Sequence, residues 1–365
     1  MSSGLFSRWA DSFFRRGEFS VTVPVMDGPL RPNRLLEEAD VAFRVDGLDN
    51  LTAAGGTVLC SSGPRLLSWT PGYAEASEIA RCDSVISALA SEPGGAVAIG
   101  LDAGGVLIRG GPHDGRRVGD GKLNCPTALL FLDADTIVVA NGSAKRRPTE
   151  WKRDLMSIGS SGSVWRVDLP SGEATRLADG LAFPYGVAPA PGGRVLVSCA
   201  WRHRIVSIDA AGREAMKSVL DDLPGYPSRI VAAQKGGYWL SVFAVRTQLV
   251  EFVLREHKYR EQMMAEIPVD YWVGPDLTSG QSFLEPLQGG GIKQMGILKP
   301  WAPARSYGLV VRLDAGFNPV ASFHSRADGH VHGVTSVCEI AGRLIAGAKG
   351  PGLAVNVPLQ AGELA

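Results

Sequence analysis

Six times along this chain, a short turn of small or acidic residues is followed at once by a run of β-branched and apolar residues. Gly55-Gly56 leads into Thr57-Val58-Leu59-Cys60, Gly94-Gly95 into Ala96-Val97-Ala98-Ile99, and Asp133 to Asp135 into Thr136-Ile137-Val138-Val139. Gly192-Gly193 leads into Val195-Leu196-Val197, Gly236-Gly237 into Tyr238-Trp239-Leu240, and Ala341-Gly342 into Arg343-Leu344-Ile345. Such runs suit a pleated, buried backbone, and the turns allow each strand to fold back on its neighbour. Partner runs follow at Val106-Leu107-Ile108, Ser163 to Val167 and Ile205 to Ile208, the last across a tight link from Trp201 to Arg204. Turn-to-turn spacing is about 40 residues in the early and middle units, the length of a four-stranded blade. One small twisted sheet cannot bury both faces, so such units must stack on each other.

Composition fits this reading. Forty-five Gly and 23 Pro in a chain that is 45% hydrophobic indicate many turns between short strands, not disorder. Lys plus Arg equals Asp plus Glu at 37 each, so no global field draws nucleic acid or an anionic membrane. The basic run Lys145-Arg146-Arg147 has no interleaved aromatics and reads as a solvated loop. Cys60, Cys82, Cys125, Cys199 and Cys338 are widely spaced and form no CxxC pair, which predicts reduced, mostly buried thiols. No apolar run reaches the roughly 18 residues that span a bilayer. Arg8, Asp11, Arg15 and Arg16 interrupt any secretory segment, so the expected location is cytoplasmic.

The predicted organisation is an amphipathic segment at 1–19, a propeller at 20–357 and a tail at 358–365. Within the first segment, Leu5, Trp9 and Phe13 fall one helical turn apart. Residues 5–16 could then touch a membrane surface weakly, or simply cap the fold. A Pro-punctuated lead-in with a helical patch near Leu35-Leu36-Glu37-Glu38 precedes the first unit. Two connections are long: 144–162, and 255–306, expected between blades five and six, which holds a helix-like EHKYREQMMAEI and the glycine run at 289–291. Long connections in repeat domains serve as lids or are merely decorative, and both readings stay open here.

The string GLAFPYGVAPAPGGRVLVSCAWRHRIV, then DDLPGYPSRIVAAQKGGYWLSVF, resembles the strictosidine synthase-like proteins. That group is similar to the senescence marker/gluconolactonase and paraoxonase families. The resemblance runs over about residues 20–357 and implies an all-β, six-bladed β-propeller. It further implies that residues just before each innermost strand converge on a central channel. In the calcium-dependent hydrolases of the wider group those positions carry Glu, Asn and Asp, which suits a hard cation acting on an ester or lactone.

This chain departs from that pattern. Asp49 stands where Glu is expected, with Asn50 beside it; Pro126 and Thr127 offer no carboxamide. Tyr185 replaces the Asn of FPNG, and Ser228 with Arg229 replaces the Asp-Asn pair of PGxPDN. A guanidinium would repel a divalent cation. No metal or other cofactor is therefore expected, calcium being the alternative. The condensing synthases instead use a last-blade glutamate, where this chain has Thr335 or Ser336, with Glu339 farther on. His330 and His332 precede that place and offer acid–base capacity, unless they lie in a blade-connecting loop. His203 reads as a hairpin residue.

Candidate catalytic residues are thus His332, Thr335 and Asp49, and candidate substrate-binding residues are Tyr185, Ser228, Arg229 and Asn50. Arg229 could grip an anionic or carbonyl-bearing molecule, or pair with Asp49 to plug the channel. Two function classes follow. One is a lactone or aryl-ester hydrolase, or less directly a carbon–nitrogen lyase; the other is a non-catalytic small-molecule-binding propeller. Neither involves nucleic acid.

Overall fold

The computed structural model describes residues 23–286, 293–294, 297–298, 304–357 and 359. Segment 5–16 and the glycine run at 289–291 lie outside the described residues. Six four-stranded antiparallel sheets surround a channel. Their inner strands are Leu48–Ala54, Ile86–Ser91, Pro126–Asp133, Pro184–Ala190, Gly225–Ala232 and Val334–Ile340, which number blades 1 to 6. Each of the six sequence turns joins an inner strand to the second strand of its blade. Neighbouring blades share a dry core: Trp239, Phe323 and Leu344 between blades 5 and 6, and Val58, Trp69 and Ile345 between blades 6 and 1. A strand covered on both faces reads as continuously apolar, as Thr136–Asn141 does, whereas the outermost Ser77–Arg81 is exposed.

The ring closes through the lead-in. Val41–Arg44 is the outer strand of blade 6, pairing Val41 with Val355 and Arg44 with Leu353. Val41–Arg44 thereby shares one sheet with Val334–Ile340, Arg343–Ala348 and Leu353–Val357. The predicted helical patch at 35–38 is only a hydrogen-bonded turn. The Asn33 carboxamide oxygen accepts from the backbone N–H of both Leu35 and His324, which pins the segment to blade 5 before a helix can propagate.

Both long connections interrupt a blade between its second and third strands, so the second, which starts after Val245, lies within blade 5 and not between blades 5 and 6. The first, in blade 3, carries helix α1 (Trp151–Met156); the second, in blade 5, carries α2 (Gln248–Val253) and α3 (His257–Glu266). Together they form a packed cap on blades 3 to 5, with Trp151, Trp272 and Met263 set against Phe183, Trp201 and Phe243. Buried ion pairs tie the two insertions together. Lys152 Nζ lies 2.5 Å from Asp276, which also pairs with Arg305, while Arg305 reaches Glu285 at 3.2 Å. No helix among the described residues is long and apolar enough to cross a membrane. All five cysteines are free thiols, four of them buried.

Candidate functional site: a girdle around the channel

Every inner strand has a register shift near its start: between Asp49 and Thr52, Ile86 and Ala88, Pro126 and Ala128, Pro184 and Gly186, Pro227 and Ile230, and Val334 and Ser336. Such a bulge leaves one residue unpaired and re-aims its side chain. Asn50, at φ 60°, is the sharpest case. The bulges place Asn50, Ser87, Thr127, Tyr185, Ser228 with Arg229, and Thr335 at one level.

Most of these side chains stitch one blade to the next. Asn50 Nδ2 donates to the Ile86 carbonyl at 3.2 Å, and Ser87 Oγ to that of Pro126 at 2.7 Å. Thr127 Oγ1 donates to the Pro184 carbonyl at 2.6 Å, and Ser198 Oγ to that of Ser228. Ser228 Oγ lies 3.2 Å from the Val334 carbonyl, and Thr335 Oγ1 donates to Asp49 at 2.7 Å. The result is a closed hydrogen-bonded girdle. Each bond is worth about 1 kcal/mol net, but an unsatisfied partner in so dry a place costs more, so the girdle fixes blade register.

Arg229 crosses the middle. Its Nη1 lies 2.9 Å from Asp49 Oδ1 and 3.3 Å from the Thr335 carbonyl, and its Nη2 donates to the Ser87 carbonyl at 2.9 Å and to Asn50 Oδ1. The Tyr185 ring covers the guanidinium at 5.3 Å. Lys349 Nζ approaches Asp49 Oδ2 at 2.7 Å. Burial alone would raise the Asp49 carboxyl; the charges of Arg229 and Lys349 and the hydrogen bonds from Lys349 and Thr335 outweigh it and hold it well below the usual range. Burial likewise opposes charge on Lys349, but Asp49 wins and raises it. Burial raises the Tyr185 hydroxyl. Two cations thus share one carboxylate, leaving the cluster one positive charge in excess.

Asp49, Asn50, Arg229, Thr335 and Tyr185 meet as expected, yet several roles change. The single hydroxyl proton of Ser228 is divided between the Ser241 and Val334 carbonyls inside the wall. Asn50 and Thr335 are consumed by the girdle and by Arg229. Both Asp49 oxygens are turned to Arg229, Thr335 and Lys349. None of the His332 hydrogen bonds reaches this cluster: its ring nitrogens face Ser306 Oγ and the Arg326 carbonyl, both at 2.6 Å. His330 is exposed and lies 2.6 Å from Glu37. His203 is indeed a hairpin residue, left-handed at φ 50° and bonded to the Gly225 carbonyl. Lys349 escaped sequence reading; the only hint is a lysine ending the otherwise apolar run Leu344 to Ala348.

The oxygens that a calcium ion would need are already spent on the guanidinium. Both Asp49 oxygens and the Asn50 carboxamide oxygen serve cationic donors, and a divalent ion would face Arg229 at contact distance. The residues present do not fit that metal.

The glycine after Tyr185 sets the blade spacing. A Cβ at Gly186 would sit 2.5 Å from the Ser228 carbonyl oxygen and 2.8 Å from Arg229 Cα, both backbone atoms. Gly186→Ala is expected to cost about 1–3 kcal/mol by overpacking, read by urea denaturation. A change under about 0.5 kcal/mol would show slack between blades 4 and 5.

Downstream of the girdle the inner strands line an open cavity of about 250 Å³, its wall formed by Leu51, Leu89, Leu129, Val187 and Ile230 together with Arg229. The buried Arg229 Nε has no acceptor there.

Over 136 residues the chain is 28% identical to adipocyte plasma membrane-associated protein of Salmo salar, across 36% of this chain and 33% of that protein. It is similar to adipocyte plasma membrane-associated protein. The likeness to the Bos taurus adipocyte plasma membrane-associated protein is 30% over 117 residues, across 31% of this chain and 28% of that protein. The match thus spans about a third of the length of these curated relatives. No family model matches the chain. Among solved structures it resembles the calcium-binding protein regucalcin from Agrobacterium tumefaciens, with TM-score 0.51 and 13% identity over 90% of this chain and 94% of that one. A gluconolactonase from Xanthomonas campestris gives TM-score 0.51 and 16% identity over 88% of each chain. At these identities the agreement is one of fold, a six-bladed propeller.

Proposed function

We propose that the channel is a metal-free binding site for a small organic molecule bearing a carboxylate or carbonyl. The observation that carries this reading is Arg229, clamped across the girdle and part of the lining of a mostly apolar cavity, in a cluster with one surplus positive charge. An incoming oxygen would satisfy both the surplus charge and the unpartnered Nε–H. The cavity, at about 250 Å³, falls just below the roughly 300–1,000 Å³ typical of drug-sized ligands, so the molecule is small. Hydrolysis at this place would have to use Asp49 as its base, and both of its oxygens already accept hydrogen bonds from Arg229, Thr335 and Lys349. The gluconolactonase likeness keeps a lactonase as the second reading, carried by fold alone.

The test pairs elemental analysis with calorimetric titration of phenylacetate against the neutral 2-phenylethanol. The expected result is no stoichiometric calcium, at least a tenfold preference for the anion, and loss of that preference in Arg229→Met. Stoichiometric calcium with chelator-sensitive lactone turnover would overturn the reading in favour of the hydrolase. Equal affinity for the two probes would remove the anion site.

A further inference from the structure

Away from the girdle, a second polar cluster surrounds a buried imidazole. Thr278, Ser279, Gln281, His330, His332 and Gly350 line a separate cavity of about 400 Å³ where the blade 5 insertion meets the loop entering blade 6. The wall is tightly held. A Cβ at Gly350 would collide with the Leu277 carbonyl oxygen, and one at Gly333, which has φ 65°, would sit 2.9 Å from the same atom. In this wall Ser306 Oγ donates to Ser279 Oγ at 2.9 Å, and Ser306 Oγ also lies 2.6 Å from His332 Nδ1. His332 Nε2 lies 2.6 Å from the Arg326 carbonyl oxygen.

Proton counting gives the charge state that this geometry suits. A hydroxyl has one proton, and Ser306 spends its own on Ser279. The Nδ1 contact therefore needs a proton from the ring, and so does the Nε2 contact, because a carbonyl can only accept. Only the imidazolium satisfies all three contacts at once. With a neutral ring, Ser306 can serve Nδ1 or Ser279, never both. His332 is 2% exposed, and a charge so buried needs a counter-charge. The two carboxylates that face it are held by other donors. Glu37 lies 2.6 Å from His330 Nδ1 and accepts from the backbone N–H of His330 and Val331, and Asp328 pairs with Arg326 at 2.9 Å. None of the described residues lining the cavity is acidic. Ser279 is half-buried in the wall, and its own hydroxyl proton has no acceptor among the described residues.

We propose that this cavity is a proton-coupled site for a small oxyanion. A proton from solvent binds Nδ1, Nδ1–H donates to Ser306, Ser306 donates to Ser279, and the Ser279 hydroxyl donates to an oxygen of the anion. Thr278 and Gln281 offer further donors. At about 400 Å³ there is room for an organic group on the anion. Burial above all holds His332, which also faces the Arg326 carbonyl, Glu37, Asp328 and His330, below its ordinary value. The ring is therefore neutral at physiological pH until an anion beside it favours the charged form. By linkage the anion binds more tightly as pH falls, and the gain is lost as pH rises through the ring's raised value in the complex.

The test is calorimetric titration of sulfate, whose charge is constant over the range, into the full chain at low salt. Binding is expected to be about tenfold tighter at about pH 5.5 than at about pH 7.5, with net proton uptake near neutrality. The Arg229 cluster does not produce this signal, since the arginine stays charged and Asp49 stays ionised at both pH values. His332→Gln should lose the pH dependence, His330→Gln should keep it, and Ser279→Ala should weaken binding at the lower pH by about tenfold. Should His332→Gln fail to fold, binding heats in two buffers of different ionisation enthalpy count the proton directly in the unaltered chain. No binding at the lower pH, equal affinity at both, absence of proton uptake, or loss of the pH dependence in His330→Gln overturns the proposal.

Discussion

Asp49→Ala is expected to destabilise the protein by about 3–5 kcal/mol, because it leaves buried Arg229 without its counter-charge and Lys349 without its partner. Urea denaturation at neutral pH reads the loss. Removing the pair, as Asp49→Leu with Arg229→Met, is expected to recover only part of it: a buried pair replaced by apolar groups is close to neutral, but Lys349 still lacks its partner. The sign with pH follows from the depressed Asp49 carboxyl. An unfolded aspartate titrates near 3.9, so the stabilisation is fully present above that range. It is lost as pH falls through that range toward the lower folded value. Stability should therefore be flat in this respect above about pH 5, and the acid-induced loss should shrink in the double variant. A cost below about 1 kcal/mol for Asp49→Ala would mean that Arg229 does not clasp the girdle.

Trp201→Ala should be comparably costly, about 3–5 kcal/mol. Its indole stacks on Phe183 at 4.5 Å, meets Tyr226 and Phe243 edge-on, and donates through Nε1 to Asp154 of α1 at 2.9 Å. Truncation would open a large cavity under the cap and strip a buried carboxylate of a donor. Trp201→Phe keeps the stacking and should lose only about 1–2 kcal/mol, chiefly the hydrogen bond. Limited proteolysis should show faster cleavage near 144–160 in the alanine variant. Unchanged cleavage would show that α1 is held by the Lys152–Asp276 pair without the indole.

The six turns were legible because hairpin chemistry is local: a few residues at Gly55-Gly56 or Gly192-Gly193 decide it. The spacing between them carried the blade count, and the departures at Tyr185, Ser228 and Arg229 already argued against a calcium centre. The outer strand Val41–Arg44 was hidden in the lead-in, since its partner lies more than 300 residues away. The same distance hid Lys349, which meets Asp49 only once the ring has closed.

Sequence by itself thus determined the repeating hairpins and which chemical groups stand at each inner-strand start. Tertiary structure decided what those groups do. Ser228, Asn50 and Thr335 became girdle bonds because the bulges aim them at neighbouring blades. His332 was drawn to Ser306 because the blade 5 insertion folds back beside blade 6. Strand propensity and turn geometry act over a few residues, whereas hydrogen-bond satisfaction and charge pairing in a closed ring depend on groups that only closure brings within 3 Å.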